Sequence, residues 1–272
     1  MEIPKIKRRT FIISGCLALA AYFFVETKTI AVTRYSIGIN NLPSAFEGFT
    51  ILHLSDLHSK SFGEGQDKLH EIIKKQTYDL VAITGDLIDK DNPDPEPGLQ
   101  LVKNLTDKPT YFVPGNHEWW SGYSIRESLL KHGVKVLENR AEKFELGQQS
   151  VWILGVDDPY LGRDDLQEAM TGVDEVSPKI LLAHAPGIYQ SVINEKIDLL
   201  LVGHTHGGQI RIPFIGALVV PGQGLFPEFD YGLYTSGNTK MVITSGLGES
   251  VLPIRFNAAP EIVLITLKGL KQ

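Results

Sequence analysis

Cysteine occurs once in the 272 residues, at Cys16. One thiol excludes an intrachain disulfide framework and any zinc site built from several cysteines. A basic surplus is also missing. The chain has 26 Lys and Arg against 32 Asp and Glu, a formal net charge of −6. That balance disfavours a general nucleic-acid binder, which needs clustered cations for its phosphate contacts. No fixed-period repeat, low-complexity tract or interdomain linker interrupts the sequence. At 43% hydrophobic and 21% charged residues, the composition is that of a core-forming chain, not a disordered one. What stands out instead is histidine: there are eight, and their placement carries most of the information.

The first 30 residues differ from the rest. Lys5, Lys7, Arg8 and Arg9 precede an uncharged run from Phe11 to Val25, closed by Glu26. A basic region before an apolar one is the layout of an export signal. As a helix the run would span about 22 Å, short of the ~30 Å hydrocarbon core. The segment therefore reads as a signal peptide or a minimal signal anchor. Arg8-Arg9-Thr10-Phe11-Ile12 resembles a twin-arginine export signal. Ile13-Ser14-Gly15-Cys16 resembles a lipoprotein cleavage box, but the apolar stretch before Ser14 is too short for lipidation of Cys16. Tyr22-Phe23-Phe24-Val25 continues beyond Ala18-Leu19-Ala20, a candidate signal-peptidase site, which favours an uncleaved anchor. The basic flank stays cytoplasmic and places the rest outside. The chain thus divides into residues 1–30, an export signal or anchor, and residues 31–272, one domain.

From residue 31, apolar β-rich runs alternate with amphipathic stretches. Strands are expected at Thr50–Leu54, Asp79–Ile83, Thr110–Val113, Lys179–Ala183 and Asp198–Val202, with helices near Lys68–Lys75, Leu99–Leu105, Ile125–His132 and Ile188–Asn194. Further strands are expected near Val134–Leu137, Val151–Val156, Gln209–Ile212, Met241–Thr244 and Glu261–Leu267. The alternation predicts a layered α/β domain with mixed sheets. Five of the strands end in runs of His, Asp, Asn and Gly: Asp56-Leu57-His58, Gly85-Asp86-Leu87-Ile88-Asp89, Gly115-Asn116-His117-Glu118, His184-Ala185-Pro186 and Gly203-His204-Thr205-His206. Loops beyond the carboxyl ends of strands are where α/β folds assemble sites. Imidazole, carboxylate and amide ligands without thiolate suit Mn, Fe or Zn. Seven such ligands exceed one tetrahedral ion and fit two adjacent ones, the arrangement that clamps an in-line displacement at phosphorus.

These five motifs, in this order after strands, resemble the calcineurin-like metallophosphoesterase family. Gly246-Leu247-Gly248, Pro253-Ile254-Arg255-Phe256 and Pro260-Glu261-Ile262 further resemble its bacterial exported, membrane-anchored phosphodiesterase branch. The resemblance implies a four-layer α/β sandwich of two mixed β-sheets flanked by helices. It implies that Asp56, His58 and His206 hold one divalent ion, that Asn116, His184 and His204 hold another, and that Asp86 bridges them. It makes a bridging hydroxide the nucleophile. His117 becomes the group that serves the leaving oxygen, and Asp89 the carboxylate that orients it and raises its protonated fraction. Asp is also a favoured helix cap, which gives Asp89 a structural alternative.

Other residues are less determined by the resemblance. Lys90 stands where some branches carry a phosphate-contacting arginine. Arg255 and Trp119 are candidate substrate contacts, and Trp119, Trp120 and Tyr123 a candidate apolar wall. His53, His70 and His132 fall within strands or helices and read as structural or exposed. The expected activity is a manganese-preferring phosphodiesterase at the outer face of the membrane, acting on an envelope or lipid-linked ester. A nucleotide-sugar lipid pyrophosphatase and a non-catalytic metal-binding scaffold are the alternatives. The scaffold requires lost ligands, and every expected position is filled.

Overall fold

Four short apolar runs form the centre of the molecule because their residues are buried on both faces, so no polar alternation remains. The structure, a computed structural model, describes residues 8–105, 107–122, 125–250 and 254–270. Tyr123 and Pro253 lie outside the described residues. The chain begins α1 (Arg8–Lys28), β1 (Ala31–Ile39), β2 (Thr50–Leu54), α2 (Asp67–Ile73), β3 (Leu80–Ile83) and α3 (Glu96–Lys103). It continues β4 (Thr110–Phe112), α4 (Asn116–Trp120), α5 (Arg126–Lys131), β5 (Lys135–Val136), β6 (Arg140–Leu146) and β7 (Gln149–Gly155). Then come α6 (Leu166–Ala169), β8 (Lys179–Leu182), α7 (Tyr189–Asn194), β9 (Leu199–Val202), β10 (Arg211–Ile212) and β11 (Gly216–Ala217). Last are β12 (Val219–Val220), β13 (Gly224–Leu225), β14 (Gly232–Ser236), β15 (Thr239–Ile243) and β16 (Glu261–Gly269).

Two six-stranded sheets result, in the orders β1-β16-β2-β3-β4-β5 and β14-β15-β9-β8-β7-β6. Both are mixed: β2, β3, β4 and β5 run parallel with β16 antiparallel to β2, and β7, β8, β9 and β15 run parallel between two antiparallel edges. Alternate residues of each central strand face opposite ways. Ile51, Leu80, Ala82, Ile180, Leu182, Leu199 and Leu201 meet in one core between the sheets. Leu52, Leu54, Val81 and Ile83 pack outward with Leu69, Ile73, Leu101 and Leu129 of α2, α3 and α5. Leu181, Leu200 and Val202 pack outward with Val192 and Ala169. The order helix, sheet, sheet, helix is the expected four-layer sandwich.

Several elements depart from the sequence reading, β1 and α6 among them. β6 carries Arg140, Glu142, Lys143 and Glu145, so hydrophobicity hides it; it is an edge strand, where charge is normal. The Gly-Asn-His-Glu run is not simply a loop, since Asn116 opens α4. The last turns of α1 are also bound to the body. Tyr22 donates to Asn257 Oδ1 at 2.8 Å, the Tyr22 and Phe23 rings meet Phe256 at 5.3 and 5.5 Å, and the Arg255 N–H donates to Thr27 Oγ1 at 3.1 Å. Among the described residues no helix is long and apolar enough to cross a membrane.

His53 lies fully buried on the inter-sheet face, with Nε2 2.8 Å from Thr84 Oγ1. Burial pushes its pKa down to about 3. The neutral ring is the folded form, so its contribution is complete above the ordinary value near 6.5 and drains away as pH falls towards 3. His53→Gln should therefore lose less stability than wild type over that range, by about 3–5 kcal/mol, measured by urea unfolding at successive pH values.

Candidate metal centre

Five strand ends converge. β2 delivers Asp56 and His58, β3 delivers Asp86 and Asp89, and β4 delivers Asn116 and His117. From the other sheet β8 delivers His184, and β9 delivers His204 and His206. All are buried except Asp89, which is partly so. The turns that aim them are sharp. Asp56, His58, Asp86, His204 and His206 have φ of +53°, +50°, +53°, +67° and +51°. Non-glycine residues avoid this left-handed region, at a cost of about 1–3 kcal/mol each, and concentrate there at functional sites. Gly115 answers a closer constraint: a Cβ there would stand 2.3 Å from Asp86 Oδ1.

Hydrogen-bond direction shows what the convergence is for. His184 Nδ1 lies 2.7 Å from the Thr84 carbonyl, which only accepts, so the proton sits on Nδ1. In the neutral ring Nε2 then presents a lone pair, yet it faces Asn116 Oδ1 at 3.1 Å, Asp86 Oδ2 at 3.2 Å and His204 Nδ1 at 3.1 Å. The second group repeats this. His206 Nδ1 lies 3.2 Å from the Gly248 carbonyl, which leaves Nε2 as a lone pair 3.5 Å from Asp56 Oδ1. His58 Nδ1 lies 3.3 Å from Asp89 Oδ2, and His58 Nε2 is 3.1 Å from His206 Nε2. Asp86 Oδ2 stands between the groups, 3.6 Å from His58 Nε2 and 3.2 Å from His184 Nε2. Burial raises the Asp56 pKa and, with the neighbouring His58, drives His206 well below its ordinary value. Nitrogen and oxygen atoms from both sheets thus point at two small volumes that lack positive charge: against the penalty of burial, the Asp86 carboxylate raises the His184 pKa well above its ordinary value and Asp89 raises that of His58. Cations are the complement, and the nitrogen and oxygen donors fit divalent ions. Asp56, His58 and His206 can hold one; Asp86, His184 and His204 can hold the other, with Asn116 beside them.

Asp89 contacts two histidines, and His117 differs from expectation in its protonation. Asp89 Oδ2 lies between His58 Nδ1 and His117 Nδ1, at 3.3 and 3.4 Å. Its hydrogen bond to His58 is the first cause of a pKa lowered to about 2. A carboxylate behind a ligand histidine fixes the ring and its tautomer. Its Oδ1 also accepts from the Asp91 and Asn92 N–H groups at 2.8 and 3.2 Å in a local turn, and no described helix begins there, so Asp89 is not a helix cap. His117 Nδ1 accepts from the Lys90 N–H at 3.1 Å. Burial pushes the His117 pKa down to about 4. The expected rise in its protonated fraction is thus reversed: the ring is neutral, with its proton on Nε2.

Both candidate substrate contacts are corrected. Arg255 does not face the site. It is fully buried, and its guanidinium donates to the carbonyls of Ser245 at 2.9 Å, Ala258 at 2.8 Å and Gly248. Gly248 O is the acceptor that orients His206, so Arg255 supports a ligand from behind. Trp119 is half-buried, donating to Asp157 Oδ1 at 2.7 Å beneath the Arg163 guanidinium. The exposed ring beside His117 is Trp120, at 5.4 Å, with Lys90 over it. Tyr160 packs against His204, ring centroids 4.6 Å apart and tilted by 42°. Sequence reasoning missed Tyr160, because no motif marks it, and gave Glu118 no role. Glu118 is fully buried and accepts N–H groups from Gly115, Asp86 and Leu87 at 2.8, 2.8 and 2.7 Å. It clips two ligand-bearing loops together.

Residues 49–208 match the family described as calcineurin-like phosphoesterase. A Bacillus subtilis (strain 168) protein named uncharacterized metallophosphoesterase YkuE is 32% identical over 98% of this chain and 99% of its own. A Danio rerio protein named transmembrane protein with metallophosphoesterase domain is 31% identical over 92% of this chain and 60% of its own. Among solved structures, a dimetal phosphatase from Danio rerio aligns at 13% identity with a TM-score of 0.46, covering 74% of this chain and 88% of that one.

Arg255→Met keeps most of the volume and removes the donors. It should weaken divalent-metal binding about 10–100-fold, the usual cost of losing an outer support. Calorimetric metal titration beside chemical denaturation checks both this and a stability loss of about 2–4 kcal/mol from unpaired buried carbonyls.

Proposed function

The chain belongs to the calcineurin-like phosphoesterase family, whose members are metal-dependent phosphoric ester hydrolases, and on that premise we propose a two-metal phosphodiesterase. The observation that carries the reading is Asp86 Oδ2, within 3.2 and 3.6 Å of ring nitrogens from the two histidine groups. In this reading Asp56, His58 and His206 hold one ion, Asn116, His184 and His204 the other, and Asp86 is shared. Manganese is the first choice, with iron or zinc as the other metals that suit this donor set. Two such ions supply a water-derived nucleophile at neutral pH and offset the charge of the phosphate.

The chain's own groups supply the rest. Asp56 and Asp86 leave the centre net positive, so an anionic ester binds where the overall charge of −6 would repel it. His117, neutral and protonated at Nε2, donates a hydrogen bond to the departing or non-bridging oxygen. The Lys90 N–H holds that tautomer from the other side of the ring. Trp120 and Tyr160 border the site as apolar walls, which favours an ester with an organic group on each side of phosphorus over a bare monoester. The leader supports export and attachment at the outer face of the membrane, from its basic residues before an uncharged run.

The test is turnover of bis-p-nitrophenyl phosphate by the manganese-loaded protein. His117→Ala should keep two bound ions and lose about 10²–10⁴-fold in turnover. Near-normal turnover in that variant removes the role assigned to His117. Absence of turnover in the loaded wild type removes the phosphodiesterase reading.

A further inference from the structure

Residues 212–227 contain no charged side chain. They form two small hairpins, β10-β11 and β12-β13. Such hairpins are normally polar, yet Phe214 is fully exposed, Phe226 is 73% and Leu225 is 71% exposed, and Ile215 and Val219 are exposed too. Single exposed apolar residues need no explanation, but a contiguous group marks a contact surface.

Both ends of this group are fixed by contacts. At one end it borders the metal centre. Gly222, in the turn between β12 and β13, packs so closely on Tyr160 that a Cβ would stand 2.8 Å from the ring, and that ring packs against His204. At the other end it borders α1. Asn257 donates to the Arg211 carbonyl at 3.1 Å at the start of the first hairpin, and accepts from Tyr22 at 2.8 Å. Phe214 is three residues from Arg211, within about 10 Å even if fully extended. Ile12, Ile13, Leu17, Leu19, Phe24 and Val25 of α1 are exposed in turn. The uncharged hairpins therefore lie between the mouth of the centre and α1, each with exposed apolar residues.

We propose that the exposed hairpin residues Phe214, in the turn between β10 and β11, and Phe226, at the foot of β13, insert into the lipid surface that receives α1, and hold the metal centre at headgroup level so that its substrate is a phosphodiester of a membrane lipid. This rests on the hydrolase reading above and deepens it. A lipid surface fits better than a protein partner because residues 212–227 carry no charge, and because they are tied through Asn257 to a helix whose residues 11–25 are uncharged. A single apolar contact with lipid leaves the body free to turn about it. A second contact converts this into stable, oriented attachment.

Cys16 is the only thiol, so Cys16→Ser gives a clean background for labelling. Phe214→Cys, Phe226→Cys and Val176→Cys would each carry an environment-sensitive dye on the full chain, mixed with phosphatidylglycerol–phosphatidylcholine vesicles containing a spin-labelled quencher lipid. Val176 is 82% exposed and precedes β8, at the end opposite His184. The proposal expects at least twofold quenching at 214 and 226 and none at 176. No quenching at either hairpin position overturns it. Equal quenching at all three means unspecific adsorption and overturns it, as does dye–dye contact between hairpins of two copies without lipid quenching. Bis-p-nitrophenyl phosphate turnover by the same labelled proteins is read in parallel. Its presence without hairpin quenching leaves the hydrolase and removes the docking, whereas quenching without turnover does the reverse. Phe214→Ser with Phe226→Ser should keep soluble-ester turnover and lose at least tenfold on vesicle-borne phosphodiesters. An equal loss on both substrates contradicts the assigned role.

Discussion

Buried lone pairs that face one another are the constraint on which the rest depends. His184 and His206 each commit the Nδ1 proton to a backbone carbonyl, of Thr84 and Gly248. Their other nitrogens then meet carboxylate, amide and imidazole acceptors at 3.1–3.5 Å. Such an arrangement is repulsive as it stands, since a buried acceptor without a donor is costly. It becomes favourable when positive charge enters. Protons on His184 and His58 supply part of that charge, and the nitrogen and oxygen donor set suits divalent ions for the rest.

Holding that arrangement takes structure behind the ligands. The strands supply stiffness, and the four-layer packing brings the ends of two sheets together. Left-handed turns at five ligand positions then point the side chains inward. Buried charges fix the turns. Glu118 gathers the N–H groups of the Asp86 and Gly115 loops, and Arg255 gathers carbonyls of the loop that orients His206. Asp89 sits behind His58 and beside His117 at once. The nine strand-end residues thus act through a small set of supports that touch no substrate.

The layered α/β class and the centre's membership were legible because each ligand follows an apolar run, and strand ends are visible as a change from apolar to polar residues. The order of strands within each sheet was not, because nothing local records which run pairs with which. β6 was hidden by its own charges. Tyr160 was invisible because it reaches His204 across the fold from an unmarked loop. Arg255 was misread for a physical reason: an arginine near a phosphate site suggests an anion contact, and only burial shows it spent on carbonyls. The protonation of His117 was misjudged in the same way. The nearby carboxylate was legible, but not the depth of burial or the Lys90 N–H that fixes its tautomer.

The central claim is that the lone pairs enclose two cations sharing Asp86. Native mass spectrometry of the metal-loaded chain counts them directly. The account predicts two divalent ions per wild-type chain, and reduced occupancy of both sites together in Asp86→Ala. One ion or none in the wild type, or a variant that loses a single site and keeps the other intact, would contradict it.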